Sequence, residues 1–150
     1  MTTTRDEIDA AITKLELPPR VCRALPDAEG REIFQAALNT FVGGDDRRWW
    51  WEAFSDEAVG RKVKDGWRLL TTLVPQPDGL VWFVAEDTDL PYYPVYETTP
   101  AAVEKIIGEC FGFEYYLIAK DMGWLLCENH HDTLIGVGEP VASRLAELAN

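Results

Sequence analysis

The residues best suited to chemistry are concentrated in segment 127–132, which reads Cys-Glu-Asn-His-His-Asp and contains both histidines of the chain. Alternate side chains of an extended strand point to the same side, so Glu128, His130 and Asp132 would share one face. An imidazole and two carboxylates are suitable ligands for a divalent metal. The segment therefore predicts a candidate metal site made of Glu128, His130, His131 and Asp132.

Two other interpretations of this segment stay open. Cys127, Asn129 and His131 would share the opposite face and have the residue types of a thiol active site. Such a site needs its imidazole within about 3 Å of the nucleophile, which strand spacing does not guarantee. The segment also fits a polar hairpin connection, because Asn and Asp form Asx turns. No H-x-x-H or H-E-x-x-H spacing is present, which weakens the metal interpretation. The sequence also contains no recognisable catalytic constellation, so we predict no catalytic residue and favour a protein that is not an enzyme.

A run of three tryptophans, Trp49, Trp50 and Trp51, follows Arg47 and Arg48. Three consecutive side chains cannot all face one core from a helix or a strand. Exposed Trp and Arg are also the residue types most enriched at binding hot spots. We therefore predict that the three tryptophans contribute to a partner-binding surface. The alternative is that helix layers bury all three.

A second candidate surface is the acidic loop that leads into two tyrosines. It contains Asp87 and Asp89, and Tyr92 and Tyr93 follow. The twelve-residue calcium-loop pattern is absent. As the wall of a groove, these four residues would suit a basic or aromatic partner, and the alternative is a solvated turn followed by an aromatic edge.

The elements that must position these segments predict an α+β fold. Helical spacing of apolar residues begins at Ile8, and runs rich in β-branched and aromatic residues follow at 80–86, 113–119 and 133–137. Segment 124–127 is apolar without alternation, which predicts a strand covered on both faces. We expect N-terminal helices packed on a mostly antiparallel sheet of about four to five strands, with one inserted helix and a C-terminal helix.

Length and charge limit the function classes. The 150 residues suit one domain, 1–150. The net charge is −12, and residues 69–150 hold 3 Lys and Arg against 13 Asp and Glu, a net of −10. Such a surface repels nucleic acid and attracts a basic partner. The alternative is that the acidity only keeps the protein in solution.

The compartment is predicted to be the cytoplasm. No apolar run is long enough to span a membrane, and the N-terminus lacks the pattern of a secretory signal. Cys22, Cys110 and Cys127 are far apart in the sequence, which predicts free thiols in a reducing compartment.

A family resemblance covers most of the chain. The blocks Phe113–Ile118 and Trp124–His131, together with Trp49–Glu52 and Val95–Glu97, resemble a family of bacterial proteins of unknown function. That resemblance implies no activity and no catalytic residues. The size and acidic character are also similar to those of bacterial immunity proteins, including the Smi1/Knr4-like superfamily.

The leading hypothesis is therefore a protein that binds a basic protein partner, such as an immunity protein that neutralises a basic bacterial toxin. One alternative is a metal-binding protein or metal-dependent enzyme that uses 128–132. In the leading hypothesis no cofactor is needed. A third interpretation is a structural homo-oligomer built on the aromatic surface.

Overall fold

A seven-stranded antiparallel sheet is the centre of the fold. The computed structural model describes residues 3–43, 50–54, 57–87 and 92–148. In chain order the strands are β1 (Cys22–Ala24), β2 (Val59–Lys62), β3 (Val81–Ala85), β4 (Val95–Thr98), β5 (Tyr115–Ile118), β6 (Leu125–Glu128) and β7 (Thr133–Val137). Across the sheet the order is β1-β4-β3-β5-β6-β7-β2, so β1 and β2 are its edges and β5 is its middle strand.

Five α-helices lie in the described part of the chain: α1 (Thr4–Lys14), α2 (Asp27–Ala37), α3 (Leu70–Leu73), α4 (Pro100–Gly108) and α5 (Val141–Ala146). A π-helical turn, Leu38–Val42, continues α2, and 3₁₀ turns occupy Trp50–Ala53 and Gly66–Leu69. None of these helices is long and apolar enough to cross a membrane.

Local sequence explains where the helices begin and end. Thr3 and Asp6 form a capping box at the start of α1. The Thr99 hydroxyl accepts a 3.1 Å hydrogen bond from the amide of Ala102, and Pro100 occupies the first helical position of α4. The π turn ends at Gly43, whose φ of 86° is readily adopted only by glycine.

Helices cover the sheet on both sides. On the four-helix face, Phe83, Tyr115, Leu117 and Leu126 pack in one cluster with residues of α1, α3, α4 and α5. On the opposite side, which we call the α2 face, Val84, Tyr116, Ile118 and Cys127 pack with α2, the π turn and Trp50. Each large side chain buried this way contributes about 1.5–3 kcal/mol.

The predicted α+β class is confirmed, and so is the burial of β6 on both faces, since all four of its residues are buried. The predicted number of strands is too small. The two missed strands are the edges: β1 has only three residues, and β2 reads Val-Gly-Arg-Lys. Neither segment carries the apolar alternation that marks a strand in a sequence.

Candidate functional site

Segment 127–132 is a strand end followed by a tight hairpin turn. Glu128 is the last residue of β6, and the chain then reverses into β7. The Asn129 side-chain oxygen accepts hydrogen bonds from the amides of His131 at 2.9 Å and Thr133 at 3.2 Å. Of the interpretations drawn from sequence, the polar hairpin with an Asx turn is the one that matches this geometry. The shared strand face of Glu128, His130 and Asp132 required an extended chain, and this condition is not met because the strand ends at Glu128.

The two histidines are held at the surface by their neighbours. Glu114, which is 3% exposed, accepts a 3.0 Å hydrogen bond from the His130 amide and also contacts its Nδ1 atom. The ring centroids of His130 and His131 are 3.9 Å apart, and the Trp51 ring meets His131 edge-on at 5.7 Å. Within the ranges that the structure describes, no three His, Cys, Asp or Glu side chains are grouped as metal ligands.

The tryptophan run has two different roles where it is described. Trp50 is 0% exposed and stacks on Tyr116 at 4.4 Å between ring centroids. Trp51 is only half buried. For Trp50, the binding surface expected from the sequence is replaced by a place in the core, because its side chain has no exposed area. Trp49 lies outside the described residues.

The residues of the acidic loop and the two tyrosines also differ in their burial. Tyr93 is buried against Trp50, and Asp87 is 2% exposed, with a carboxylate that accepts a 3.1 Å hydrogen bond from the Arg5 amide at the start of α1. These two side chains are therefore structural parts of the fold. Tyr92 is partly exposed and lies 4.7 Å from the guanidinium of Arg31. Asp89 lies outside the described residues.

A cleft of about 490 Å³ opens on the four-helix face, at the end of the sheet where β6 meets the hairpin turn. We call it the acidic cleft. Its carboxylates come from Asp65, Glu128 and Asp132, and its aromatic walls are Trp67, Phe113 and Tyr115. The remaining lining residues are Ile107, Gly108, Cys110, Gly112, Asn129 and His130. No Lys or Arg is present among these described lining residues.

Glu128 is the buried carboxylate of the acidic cleft. It is 9% exposed, and the Tyr115 hydroxyl donates a 2.8 Å hydrogen bond to its Oε1 atom. The Gly66 backbone also lies near this carboxylate and favours its ionised form. Burial raises the pKa of Glu128, and the charges of Asp132 and Asp65 raise it further, against the opposing effect of these two groups. The ionised form of Glu128 is therefore destabilised as long as no cation enters the cleft.

The loop between α4 and β5 forms the lip of the acidic cleft. Phe111 is 84% exposed, which is unusual for a large apolar side chain. Its amide donates a 2.9 Å hydrogen bond to Oε1 of Glu7, so the loop is tied to α1. The neighbouring Cys110 lines the cleft. Burial, Glu7 and Glu109 together raise the pKa of the Cys110 thiol to about 11.

A family model matches residues 1–149, and its description is a family of unknown function, DUF6756. The chain belongs to this family. No curated protein and no solved structure shows significant similarity to it. Membership in DUF6756 therefore supplies no activity.

Sequence reasoning found Glu128, His130 and Asp132 but missed the rest of the acidic cleft. Asp65, Trp67 and Phe113 are distant in sequence from the hairpin and are brought to it by the packing of α4 and the 3₁₀ turn Gly66–Leu69. One usable signal was Glu128 itself, since a carboxylate at the end of an apolar strand must find hydrogen-bond donors or a cation.

Proposed function

We propose that the protein binds a basic protein partner through the acidic cleft. The observation that carries this proposal is the cleft's composition: three carboxylates and three aromatic rings surround one cavity, and one of those carboxylates is buried. Aromatic walls supply contact area with little loss of side-chain entropy, and carboxylates select a cation.

The charge of the whole chain supports a basic partner. A net charge of −12, with −10 of it in residues 69–150, produces a long-range field that attracts positive surfaces and speeds their association. The exposed ring of Phe111 at the lip offers an apolar contact beside the charged cavity. Such an apolar residue beside polar groups is typical of interfaces.

We further propose that the partner is a basic toxin domain and that the protein is its immunity protein. The support is limited to chemistry: an acidic protein with a cation-selecting cleft can mask a basic active surface. Co-expression tests this finer proposal, since an immunity protein restores growth to bacteria that produce the captured partner. Growth arrest that persists on co-expression would contradict the immunity role but leave the binding proposal intact.

The binding proposal is tested by affinity capture from native bacterial lysate at low salt, followed by rate measurements on any protein captured. We expect one basic partner whose association rate falls as salt increases while its dissociation rate changes little. The double substitution Asp65→Asn and Asp132→Asn should weaken its binding by about tenfold or more. The matched control is Glu32→Gln with Glu147→Gln, which removes the same charge at exposed positions outside the cleft. Equal binding by the two double variants would contradict the proposal.

A divalent metal is the second candidate for this cleft, favoured by one observation: Glu128, His130 and Asp132 all line it. Since the described residues are not grouped as metal ligands, binding would require rotation of these side chains. Elemental analysis of protein purified without chelator is the measurement. A stoichiometric transition metal that is lost in Asp132→Asn would support it, and less than about a tenth of an equivalent would remove it.

A further inference from the structure

We propose that the acidic cleft takes a single arginine side chain of the partner, with its guanidinium hydrogen-bonded to Glu128 and stacked on the aromatic walls. This inference rests on the proposed function, because it names the group that the cleft recognises. Its support comes from the cleft's size, from the geometry of Glu128 and from the nature of the walls.

The cleft is large enough to admit a long side chain. A cavity of about 490 Å³ is at the small end of ligand pockets, which span roughly 300–1,000 Å³. It is too large to be filled by a bare metal ion and too small for a folded element of a partner. An extended side chain entering past the lip at Phe111 fits this space.

Glu128 is held so that it can receive a forked donor. A carboxylate offers about four acceptor positions. The Tyr115 hydroxyl occupies one of them, which orients the group. The positions that remain can accept two parallel N–H donors, which is the geometry of a guanidinium. An ammonium group would satisfy only part of this arrangement.

The negative charge of the cleft also favours the binding of a cation. Glu128 shares one cavity with two further carboxylates, Asp65 and Asp132. No Lys or Arg among the described lining residues compensates these three carboxylates. An entering guanidinium would neutralise part of this charge in a partly buried site, where ion pairing is stronger than at the surface.

The aromatic walls favour arginine over lysine. Guanidinium groups are planar and weakly hydrated, so they stack on aromatic faces, whereas an ammonium stays hydrated. Trp67 already receives a guanidinium of this chain, because Arg68 lies 4.8 Å from the centre of its ring. Phe113 and Tyr115, whose rings meet edge-on at 6.2 Å, provide further ring surface.

The test uses three acetylated and amidated pentapeptides, Gly-Gly-Xaa-Gly-Gly, in which Xaa is arginine, lysine or citrulline. Binding is measured by the protection of Cys110 from iodoacetamide and by amide chemical shifts of the cleft residues. We expect the arginine peptide to bind about tenfold more tightly than the lysine peptide. The neutral citrulline peptide, which has nearly the shape of arginine, should not protect Cys110.

Two variants connect the selectivity to the cleft. Glu128→Gln should abolish the preference for arginine. Phe113→Leu keeps an apolar wall but removes a ring, so it should also reduce the preference, without changing any charge in the cleft. Equal affinity for arginine and lysine peptides, or no protection by any peptide, would overturn this inference. If the partner's binding still depends on Asp65 and Asp132, the proposed function survives that failure.

Discussion

Tyr115 and Glu128 face each other across neighbouring strands, and the Tyr115 hydroxyl donates a 2.8 Å hydrogen bond to Oε1 of Glu128. Tyr115 is 1% exposed, and burial raises its pKa well above the usual value, with the Glu128 charge raising it further. The phenol therefore stays protonated and keeps its donor role at physiological pH. The carboxylate of the acidic cleft is thus oriented before any partner arrives.

Removing this donor should destabilise the fold. In Tyr115→Phe, the buried carboxylate loses its hydrogen bond, which should lower the free energy of unfolding by about 1–3 kcal/mol at neutral pH. Tyr116→Phe is the matched control, since it removes a neighbouring buried hydroxyl that lies against the Trp50 backbone and not against a carboxylate. Its loss should change stability less. Urea denaturation of both variants measures the difference, and equal losses would show that the Tyr115–Glu128 bond contributes nothing specific.

Glu128→Gln should stabilise the protein at neutral pH. Burial raises the folded-state pKa of Glu128, so the folded state keeps a proton over a pH range in which the unfolded chain has released it. The free energy of unfolding therefore falls as the pH rises through that range. A neutral glutamine avoids this loss. The advantage should shrink as the pH falls through the raised folded-state pKa, and it should vanish below about 4.3, where the unfolded carboxyl is protonated as well.

The control for this pH dependence is Glu32→Gln, which changes an exposed carboxylate outside the cleft. Thermal unfolding from pH 3 to pH 8 should give parallel curves for Glu32→Gln and the parent protein. A Glu128→Gln variant that is less stable than the parent at pH 7 would contradict the conclusion that burying the Glu128 carboxylate lowers stability at neutral pH. Stability gained by removing Glu128 would mean that the residue is retained for binding rather than for folding.

Alkylation of Cys110 should require a higher pH than alkylation of an unperturbed thiol. Its pKa of about 11, raised by burial and by Glu7 and Glu109, predicts an alkylation rate that keeps rising through pH 10. An unperturbed thiol levels off above about pH 8.5. The buried Cys22 and Cys127 should stay unmodified in the native protein. Mass spectrometry of peptides after timed alkylation distinguishes the three thiols.

Glu7→Gln provides the charge test for Cys110. Removing the Glu7 charge should lower the thiol pKa and speed alkylation at pH 9, while Gln can still accept the hydrogen bond from the Phe111 amide. Glu32→Gln is again the control. If Glu7→Gln leaves the rate unchanged, Glu7 does not set the reactivity of Cys110.

The fold could be read from the sequence wherever periodicity and caps agree. The helix that begins after Thr3 and the one that begins after Thr99 have both signals, and the fully buried β6 has an apolar run without alternation. The edge strands β1 and β2 were not predicted, because short or polar strands are stabilised by pairing with their neighbours and carry no apolar pattern of their own. Their place in the sheet depends on pairing with β4 and β7.

The site was predictable only in its local part. The hairpin after Glu128 is formed by residues that are close in sequence, and Asn129 predicts its turn. The contributions of Asp65, Trp67 and Phe113 depend on how α4 packs on the sheet, which sequence spacing does not encode. The tryptophan run illustrates the same limit: the sequence shows that the three rings cannot share one core but not which of them is buried.

Substitution of Trp50 and Trp51 separates the core ring from the half-buried one. Trp50 is fully buried among Phe34, Tyr93 and Tyr116, so Trp50→Ala should lower the free energy of unfolding by about 3–5 kcal/mol. Trp51→Ala should lose less than half as much, because Trp51 is only partly buried and packs at the border of the same cluster, beside the surface residues His130 and His131. Urea denaturation followed by circular dichroism compares them without relying on the altered fluorophore. Similar losses would place both rings in the core, which would leave the tryptophan run without an exposed ring at 50–51 for a partner to contact.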